Sequence, residues 1–195
     1  DGIAFYYTEL DPNKDNFKLT AKIKVNEFAK GVPDGQEAFG IMVRDAINED
    51  GNSTVFPSNM AFVGGFKGVK SNGKDYDGAM ELIVRAGVND ATGSGAKLYP
   101  SPSYQIGPRP KNNATYTLTL EKTNSGFIGR VEGMGENTVY MTDLMNKLDN
   151  DKMYLGFFAA RVANIEVTDA KLIVTDVNSD APKLETPPTP TVPTI

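Results

Sequence analysis

The chain has 195 residues, of which 39% are apolar and 23% are charged, so it has the size and composition of one globular domain with a full hydrophobic core. Its net charge of -5 leaves no basic surplus to neutralise phosphates, which argues against nucleic-acid binding. Cysteine and histidine are both absent, which excludes disulfides, zinc–thiolate sites, histidine metal sites and imidazole-dependent catalytic triads. No apolar run approaches the length of a membrane-spanning helix, so we expect no membrane partner.

Strand signals run through almost the whole chain. β-Branched and aromatic residues with partial two-residue alternation predict nine strands, at residues 3–8, 17–25, 38–44, 60–66, 80–85, 115–121, 127–131, 154–161 and 165–175. The clearest is TYTLTLE, in which Tyr116, Leu118 and Leu120 face one side and three threonines face the other. Clusters of Pro, Asn, Asp and Gly separate the strands and predict turns.

Helical periodicity is nearly absent, since only residues 142–147 (TDLMNK) predict a short helical turn. Many strands without crossover helices predict an all-β fold, an antiparallel β-sandwich of two sheets that bury one face against each other. Residues 181–195 hold five of the twelve prolines and predict a stiff linker to another domain, which leaves residues 1–180 as the module. Because the chain starts directly at DGIAFYY, we interpret it as an excised segment of a longer protein.

Three apolar segments, GIMVRDA, LIVRAG and FFAARVA, each carry an arginine at the end of a predicted strand. Arginine is rarely buried unless it is paired, so these strand ends need an explanation. If alternate apolar residues face the core, Phe158 and Ala160 among them, then Arg44, Arg85 and Arg161 all face outward. The sequence therefore predicts three outward-facing arginines.

These arginines would line one surface if their strands share a sheet. Glu81 would add a carboxylate there, and the small residues Gly40 and Ala159 would leave room beside it. Guanidinium groups bind carboxylates through two parallel hydrogen bonds, so such a surface suits an acidic sugar. The alternative is that each arginine pairs with a carboxylate of a neighbouring strand and closes off an exposed sheet face.

Aromatic side chains are the second feature of a sugar site. The chain has no tryptophan, but Tyr99 and Tyr104 lie in the proline-rich loop LYPSPSYQIGPRP. Long, proline-stiffened loops are typical of binding sites. The alternative is that both tyrosines pack on the edge of the sandwich.

Acidic turns indicate a structural Ca²⁺ held by loop carboxylates and carbonyls. The stretch DPNKD, which begins at Asp11, resembles the start of a calcium loop, although it lacks the glycine and glutamate of an EF-hand. Asp149 and Asp151 form another acidic turn. We expect Asp11, Asp149 and Asp151 to be the ligands, and the alternative is that all three belong to solvated turns.

Several segments carry a family resemblance: DGIAFYYTEL, NFKLTAKIKVNEF followed by EAFGIMVRDA, and YLGFFAARVANIEVTDAKLIV. Over most of residues 1–177 the chain resembles concanavalin-like β-sandwich modules of extracellular polysaccharide-degrading enzymes. It is similar in particular to the family 66 carbohydrate-binding modules appended to bacterial pectate lyases. The resemblance implies a secreted jelly-roll module that binds sugar without catalysis, often with a structural calcium. It also implies ligand-binding roles for Arg44 with Asp45 and for Arg161.

Our leading interpretation is a non-catalytic, monomeric module that holds a covalently linked polysaccharidase on plant cell-wall polysaccharide, with acidic pectin as the ligand. One alternative is that it binds fructan (levan), the ligand of the founding members of that family. A second alternative is a catalytic lyase domain, in which Arg44, Arg85 and Lys67 neutralise a uronate and remove a proton. A third is a spacer that packs on its neighbouring domain and binds no sugar.

Overall fold

A computed structural model of the chain describes residues 3–28, 37–47, 58–67, 78–90, 93, 95–99, 105–149 and 151–181. Twelve strands in these ranges form two antiparallel sheets, one of seven strands and one of five. This confirms the all-β sandwich predicted from the sequence. No helix in the described ranges is long and apolar enough to cross a membrane.

The seven-stranded sheet contains strands from both ends of the chain. Its order is β1 (Ile3–Leu10), β11 (Met153–Ala160), β3 (Glu37–Arg44), β4 (Met60–Lys67), β5 (Ala79–Ala86) and β6 (Lys97–Tyr99), with β7 (Gln105–Gly107) also paired with β5. The first strand thus lies beside the eleventh, which is the long-range pairing of a jelly roll rather than a simple meander.

The five-stranded sheet packs over the first. Its order is β10 (Gly135–Tyr140), β9 (Gly126–Val131), β8 (Thr115–Thr123), β2 (Asp15–Phe28) and β12 (Ala163–Asp176). A short 3-10 turn, Val177–Ser179, follows β12. Among the described residues, β1 and β12 are therefore the edge strands of the two sheets on one side of the sandwich.

Alternate residues of both sheets form the core between them. Its fully buried members include Ile23, Val25, Phe39, Ile41, Val43, Val63, Leu82, Val84, Leu118 and Leu120. The alternation predicted for TYTLTLE is confirmed, because Leu118 and Leu120 are buried and Tyr116 packs against the same core.

All nine predicted strand segments lie on strands, and three further strands were not predicted. β6 and β7 are only three residues long, and β10 has the polar sequence GENTVY. The predicted helical turn at residues 142–147 was wrong, because this segment forms turns and bends. Leu144 and Met145 are buried in the core, so packing determines the conformation of this segment instead.

Side chains at one end of the five-stranded sheet hold the last described residues against the sandwich. Asn124 Nδ2 donates to the carbonyl oxygens of Val177 at 2.8 Å and Ala181 at 3.1 Å. Asn16 Nδ2 donates to Asp180 Oδ2 at 2.7 Å and to Asn124 Oδ1 at 3.0 Å. This network fixes the direction in which the chain leaves the domain.

Lys122 lies beneath this network and is only 9% exposed. Its Nζ donates to the carbonyl oxygen of Asp15 at 3.1 Å and to Asn16 Oδ1 at 2.8 Å. Burial lowers the pKa of Lys122 to about 8, although the charges of Asp15 and Asp180 oppose this shift. The folded domain therefore loses this proton at a lower pH than the unfolded chain.

The free energy of unfolding should rise with pH because of Lys122. Between about pH 8 and the ordinary lysine pKa of 10.5, the unfolded chain binds the proton and the folded domain does not, so stability increases across this window. The total gain is on the order of 3 kcal/mol. Urea denaturation at several pH values gives the free energy of unfolding of the wild type and of Lys122→Met. The two curves of this free energy against pH should diverge between about pH 8 and 10.5. Parallel curves would contradict the assignment.

Candidate functional site

The outer face of the seven-stranded sheet, which points away from the other sheet, carries its own buried apolar cluster. Met42, Phe62 and Ile83 lie directly opposite one another on β3, β4 and β5, and all three are buried. Phe158 of β11 packs edge-on against Phe62, with ring centroids 5.0 Å apart. This face is therefore far more apolar than the outer face of an ordinary sandwich.

A cavity of about 110 Å³ lies on this face. Its described lining consists of Ile3, Ala38, Met42, Met60, Phe62, Phe66, Ile83, Arg85, Phe158 and Ala160. Among these residues Arg85 is the charged one. A single water needs roughly 10–15 Å³, so the cavity is large enough to hold several waters or part of a small polar ligand.

Arg85 and Arg44 lie on the same side of the sheet, one on each side of Met60. Both bind Ser58: Arg44 Nε donates to Ser58 Oγ at 2.9 Å, while Arg85 donates to the Ser58 carbonyl oxygen at 2.9 Å and to Oγ at 3.3 Å. The pKa of each arginine is lowered to about 10, mainly by burial and for Arg85 also by the charge of Arg44, while the charge of Asp45 opposes both shifts. Both therefore remain cationic at neutral pH and form a concentrated positive charge.

Asp45 and Asn59 fix the segment that carries Ser58. Asp45 is 0% exposed, and its two oxygens accept from the backbone N–H of Asn59 at 2.7 Å and from Asn59 Nδ2 at 2.6 Å. Asn59 also bonds the backbone N–H and carbonyl of Val88, each at 2.9 Å. Burial raises the pKa of the Asp45 carboxyl group, although the hydrogen bonds from Asn59 oppose that shift. Asp45 thus holds Asn59, the residue next to the Ser58 that both arginines bind.

Arg44 and Arg85 do not form the exposed surface that the sequence analysis predicted. Arg44 is 6% and Arg85 8% exposed, so these two outward-facing side chains are buried rather than spread over a surface. The prediction that they lie together is correct. Because both donate to Ser58 inside a buried network, removing either side chain should also lower the free energy of unfolding.

Arg161 lies at the other end of the sheet. Pairing of β11 with β3 aligns Tyr154 with Arg44 and Ala160 with Ala38, so Arg161 is roughly 20 Å or more from Arg44 along the strands. It adopts a φ of 55° in the turn that joins β11 to β12. The three arginines therefore do not form a single site.

The strand alternation predicted for β11 was also wrong. Phe158 and Ala160 belong to the outer cluster, and Phe157 packs against the core between the sheets. Both faces of this strand are apolar, so the sequence pattern FFAA does not distinguish them.

The other predicted ligand-binding residues have different positions. Glu81 is buried on the outer face, opposite Gly64, which in turn faces Gly40. Tyr99 lies on β6 opposite Val84, and its side chain lies outside the described part of the chain. Tyr104 also lies outside the described residues. The ligand-binding roles of these residues remain predictions.

Two tyrosines that the sequence analysis missed border the outer face. Tyr7 of β1 is 41% exposed, and its ring packs edge-on against Tyr154 at 5.5 Å and stacks on Phe5 at 5.2 Å. The sequence signal for Tyr7 is the alternation along β1, which places Phe5 and Tyr7 on the same face of the strand. Tyr7 thus adds an exposed aromatic surface beside the outer face.

The acidic turns make local contacts. Asp11 accepts from the backbone N–H of Asn13 at 2.9 Å and pairs with Lys14 at 3.2 Å. Asp149 accepts from the backbone N–H of Asp151 at 3.1 Å and from the Tyr154 hydroxyl at 3.3 Å. Among the residues that the structure describes, no three or more acidic groups are arranged to hold a metal ion. A structural Ca²⁺ remains a prediction.

Solved structures with a similar fold include an alginate lyase and congerin II. An alginate lyase from Pseudomonas aeruginosa matches with 12% sequence identity and a TM-score of 0.48, covering 84% of this chain and 66% of its own. Lactose- and MES-liganded congerin II matches with 13% identity and a TM-score of 0.45, covering 86% of this chain and 100% of its own.

Closer relatives come from the sequence. The chain is 46% identical to a pectate lyase L from Thermoclostridium stercorarium, over 100% of this chain and 16% of that protein. It is 31% identical to a pectate disaccharide-lyase from Dickeya chrysanthemi, over 92% of this chain and 26% of that protein. The chain thus spans about a sixth to a quarter of the length of these relatives. The family described as the pectate disaccharide-lyase N-terminal domain matches residues 1–177. The chain belongs to this family.

Proposed function

We propose that this domain binds pectin-type polysaccharide through a uronate group on the outer face of the seven-stranded sheet. In this proposal it is a non-catalytic module, similar to family 66 carbohydrate-binding modules, in a secreted pectin-degrading enzyme. The names of the two relatives support the choice of polysaccharide, since both describe lyases of pectate. Since the chain matches only a small part of each, the catalytic domain would lie elsewhere in the same polypeptide.

The observation that carries the proposal is the presence of Arg85 in the lining of an otherwise apolar cavity of about 110 Å³ on this face. The C–H faces of a sugar pack well against aromatic and methionine side chains, which here include Phe62, Phe158 and Met60. A uronate adds a carboxylate to such a ring. The positive charge of Arg85 would attract that carboxylate, and the nearby charge of Arg44 would strengthen the attraction.

An acidic sugar fits this arrangement better than a neutral one. Two cationic groups held side by side in a buried position repel each other, and a bound anion relieves that repulsion. The fructose units of levan carry no charge, so they would accept hydrogen bonds from a guanidinium without the ion pair that a carboxylate adds. Pectin is therefore our proposed ligand and levan the alternative that the test must include.

Arg85→Gln should weaken binding to polygalacturonate by about 10–100-fold, because a charged hydrogen bond is worth about 1.5–3 kcal/mol. We would measure retardation in affinity gels that contain polygalacturonate, levan, xylan or cellulose, and the folded fraction by circular dichroism. The wild type should be retarded by polygalacturonate alone.

The matched control is Arg130→Ala. Arg130 lies on the five-stranded sheet, where it pairs with Glu121 at 2.6 Å and with Glu136, so its loss should leave binding unchanged. Absence of wild-type retardation in every gel would overturn the proposed ligand. Unsaturated product detected by ultraviolet absorbance with polygalacturonate and calcium would overturn the non-catalytic role.

A further inference from the structure

Three consecutive apolar side chains on β12 are exposed: Leu172 by 39%, Ile173 by 43% and Val174 by 44%. Leu172 pairs with Leu19 and Val174 with Phe17, and both partners are buried core residues. Paired residues point to the same face of a sheet, so Leu172 and Val174 face inward and are still exposed, while Ile173, which pairs with Lys18, faces outward. The sandwich is therefore open along this part of its edge.

The open edge is limited to a short regular segment. Before it, the pairing of β12 shifts between Thr168 and Lys171, and Asp169 adopts a φ of 54° and pairs with Lys22 at 3.1 Å. Bulges and charges of this kind protect edge strands from pairing with other chains. After it, Asp176 caps the 3-10 turn. Between these features, residues 172–174 remain as an apolar stretch on the edge of the described strands, in regular register with β2.

We propose that this segment pairs antiparallel with the same segment of a second copy, around a two-fold axis at Ile173. An axis perpendicular to the sheet requires one residue to face itself across the interface. With Ile173 at the axis, Leu172 faces Val174 of the second copy and Lys171 faces Thr175. All three exposed apolar residues then face apolar partners.

Neighbouring registers lack this match. With Leu172 at the axis, Ile173 faces Lys171 and Val174 faces Ala170 of the second copy. With Val174 at the axis, Leu172 faces Asp176. An apolar residue opposite a charged one gains little from the pairing, so the segment itself selects the register centred on Ile173.

A second copy fits this edge better than the chain's own C-terminal sequence does. Residues 182–195 contain five prolines, which have no N–H to donate to a strand ladder. A second β12 supplies a complete set of donors and acceptors. Because the paired segment is short, we expect association that depends on protein concentration.

Pairing of this kind has a functional consequence, which rests on the proposed function. A two-fold axis perpendicular to the five-stranded sheet leaves the outer faces of both seven-stranded sheets on the same side of the dimer. The two candidate sites would then face one polysaccharide surface together and bind it with avidity. The dimer would thus compensate for modest affinity at each site.

Sedimentation velocity over a range of concentrations tests the dimer in the absence of any sugar. The wild type should pass from monomer to dimer, while Ile173→Lys should remain monomeric. Met134→Lys is the matched control, because Met134 is 38% exposed in the turn between β9 and β10 and should dimerise like the wild type. A wild type that stays monomeric throughout, or two variants that behave alike, would overturn the proposal.

Disulfide cross-linking tests the register, since the chain has no cysteine of its own. Directly opposed residues in a ladder have Cβ atoms about 4.5–5.5 Å apart, close to disulfide range. Ile173→Cys should therefore form a covalent dimer about ten-fold faster than Leu172→Cys or Val174→Cys. In this register Leu172 faces Val174 of the second copy, so a cysteine at either position would not face another cysteine. Equal rates would exclude this register. Neither result depends on whether polygalacturonate binds, so the two proposals can fail separately.

Discussion

Replacing Asn59 with alanine should lower the free energy of unfolding by about 3–5 kcal/mol, because the buried Asp45 carboxylate would lose one of its hydrogen bonds and both backbone groups of Val88 would lose theirs. Asn59 Nδ2 donates to Asp45 at 2.6 Å, and its side chain also bonds both backbone groups of Val88. Alanine would leave Asp45 Oδ2 and the backbone N–H and carbonyl of Val88 buried without the Asn59 side chain as their partner. Urea denaturation with linear extrapolation measures the loss.

Asn26→Ala is the control for this prediction. Asn26 also donates through its amide, to Asn164 at 3.1 Å and Glu166 at 3.0 Å, but on an exposed surface, so its loss should cost less than about 0.5 kcal/mol. Asn59→Ala should also weaken binding to polygalacturonate, because the segment that carries Ser58 and positions both arginines would shift. Equal losses of stability in the two variants would show that the buried network does not hold this segment.

Gly40→Ala should be similarly severe, with a loss of about 3–5 kcal/mol in the free energy of unfolding. A Cβ on Gly40 would lie 2.0 Å from the carbonyl oxygen of Val63 and 2.9 Å from the Cα of Gly64. Both atoms belong to the backbone of β4, so β3 and β4 would have to separate. Gly40 also has a φ of 148°, which adds conformational strain.

Gly133→Ala separates the two causes. Gly133 has a φ of 77°, but a Cβ there would have nothing within 4 Å, so only the conformational cost of about 1 kcal/mol applies. Differential scanning calorimetry should show the melting temperature of Gly40→Ala falling by roughly 10 °C or more and that of Gly133→Ala by only a few degrees. A fall for Gly40→Ala no larger than that for Gly133→Ala would contradict the close approach of β3 and β4.

The fold was predictable because local alternation decides most of it. TYTLTLE shows its buried and exposed sides in one segment, and strong strand signals without crossover helices indicate two packed sheets. The segments that the sequence misses are those whose conformation depends on distant partners. β10 has the polar sequence GENTVY, and its Glu136 pairs with Arg130 of β9.

The candidate site was predictable only in part. Alternation correctly placed Arg44 and Arg85 on one outer face, but their burial depends on Ser58 and Asn59, in a segment without a clear strand pattern. Arg161 shares the local pattern of the other two arginines and lies at the far end of the sheet. Only the pairing of strands distant in the sequence distinguishes it, and local alternation does not encode that pairing.

Methyl NMR of the domain during titration with oligogalacturonate tests the proposed binding face most directly. With labelled methionine and isoleucine, the methyl signals of Met42, Met60 and Ile83, which line the cavity, should shift in a saturable manner. Those of Ile128 and Met134, on β9 of the five-stranded sheet and in the turn after it, should remain unchanged. Saturable shifts confined to Ile128 and Met134, or no shift at any of the five methyl groups, would contradict binding on the outer face of the seven-stranded sheet.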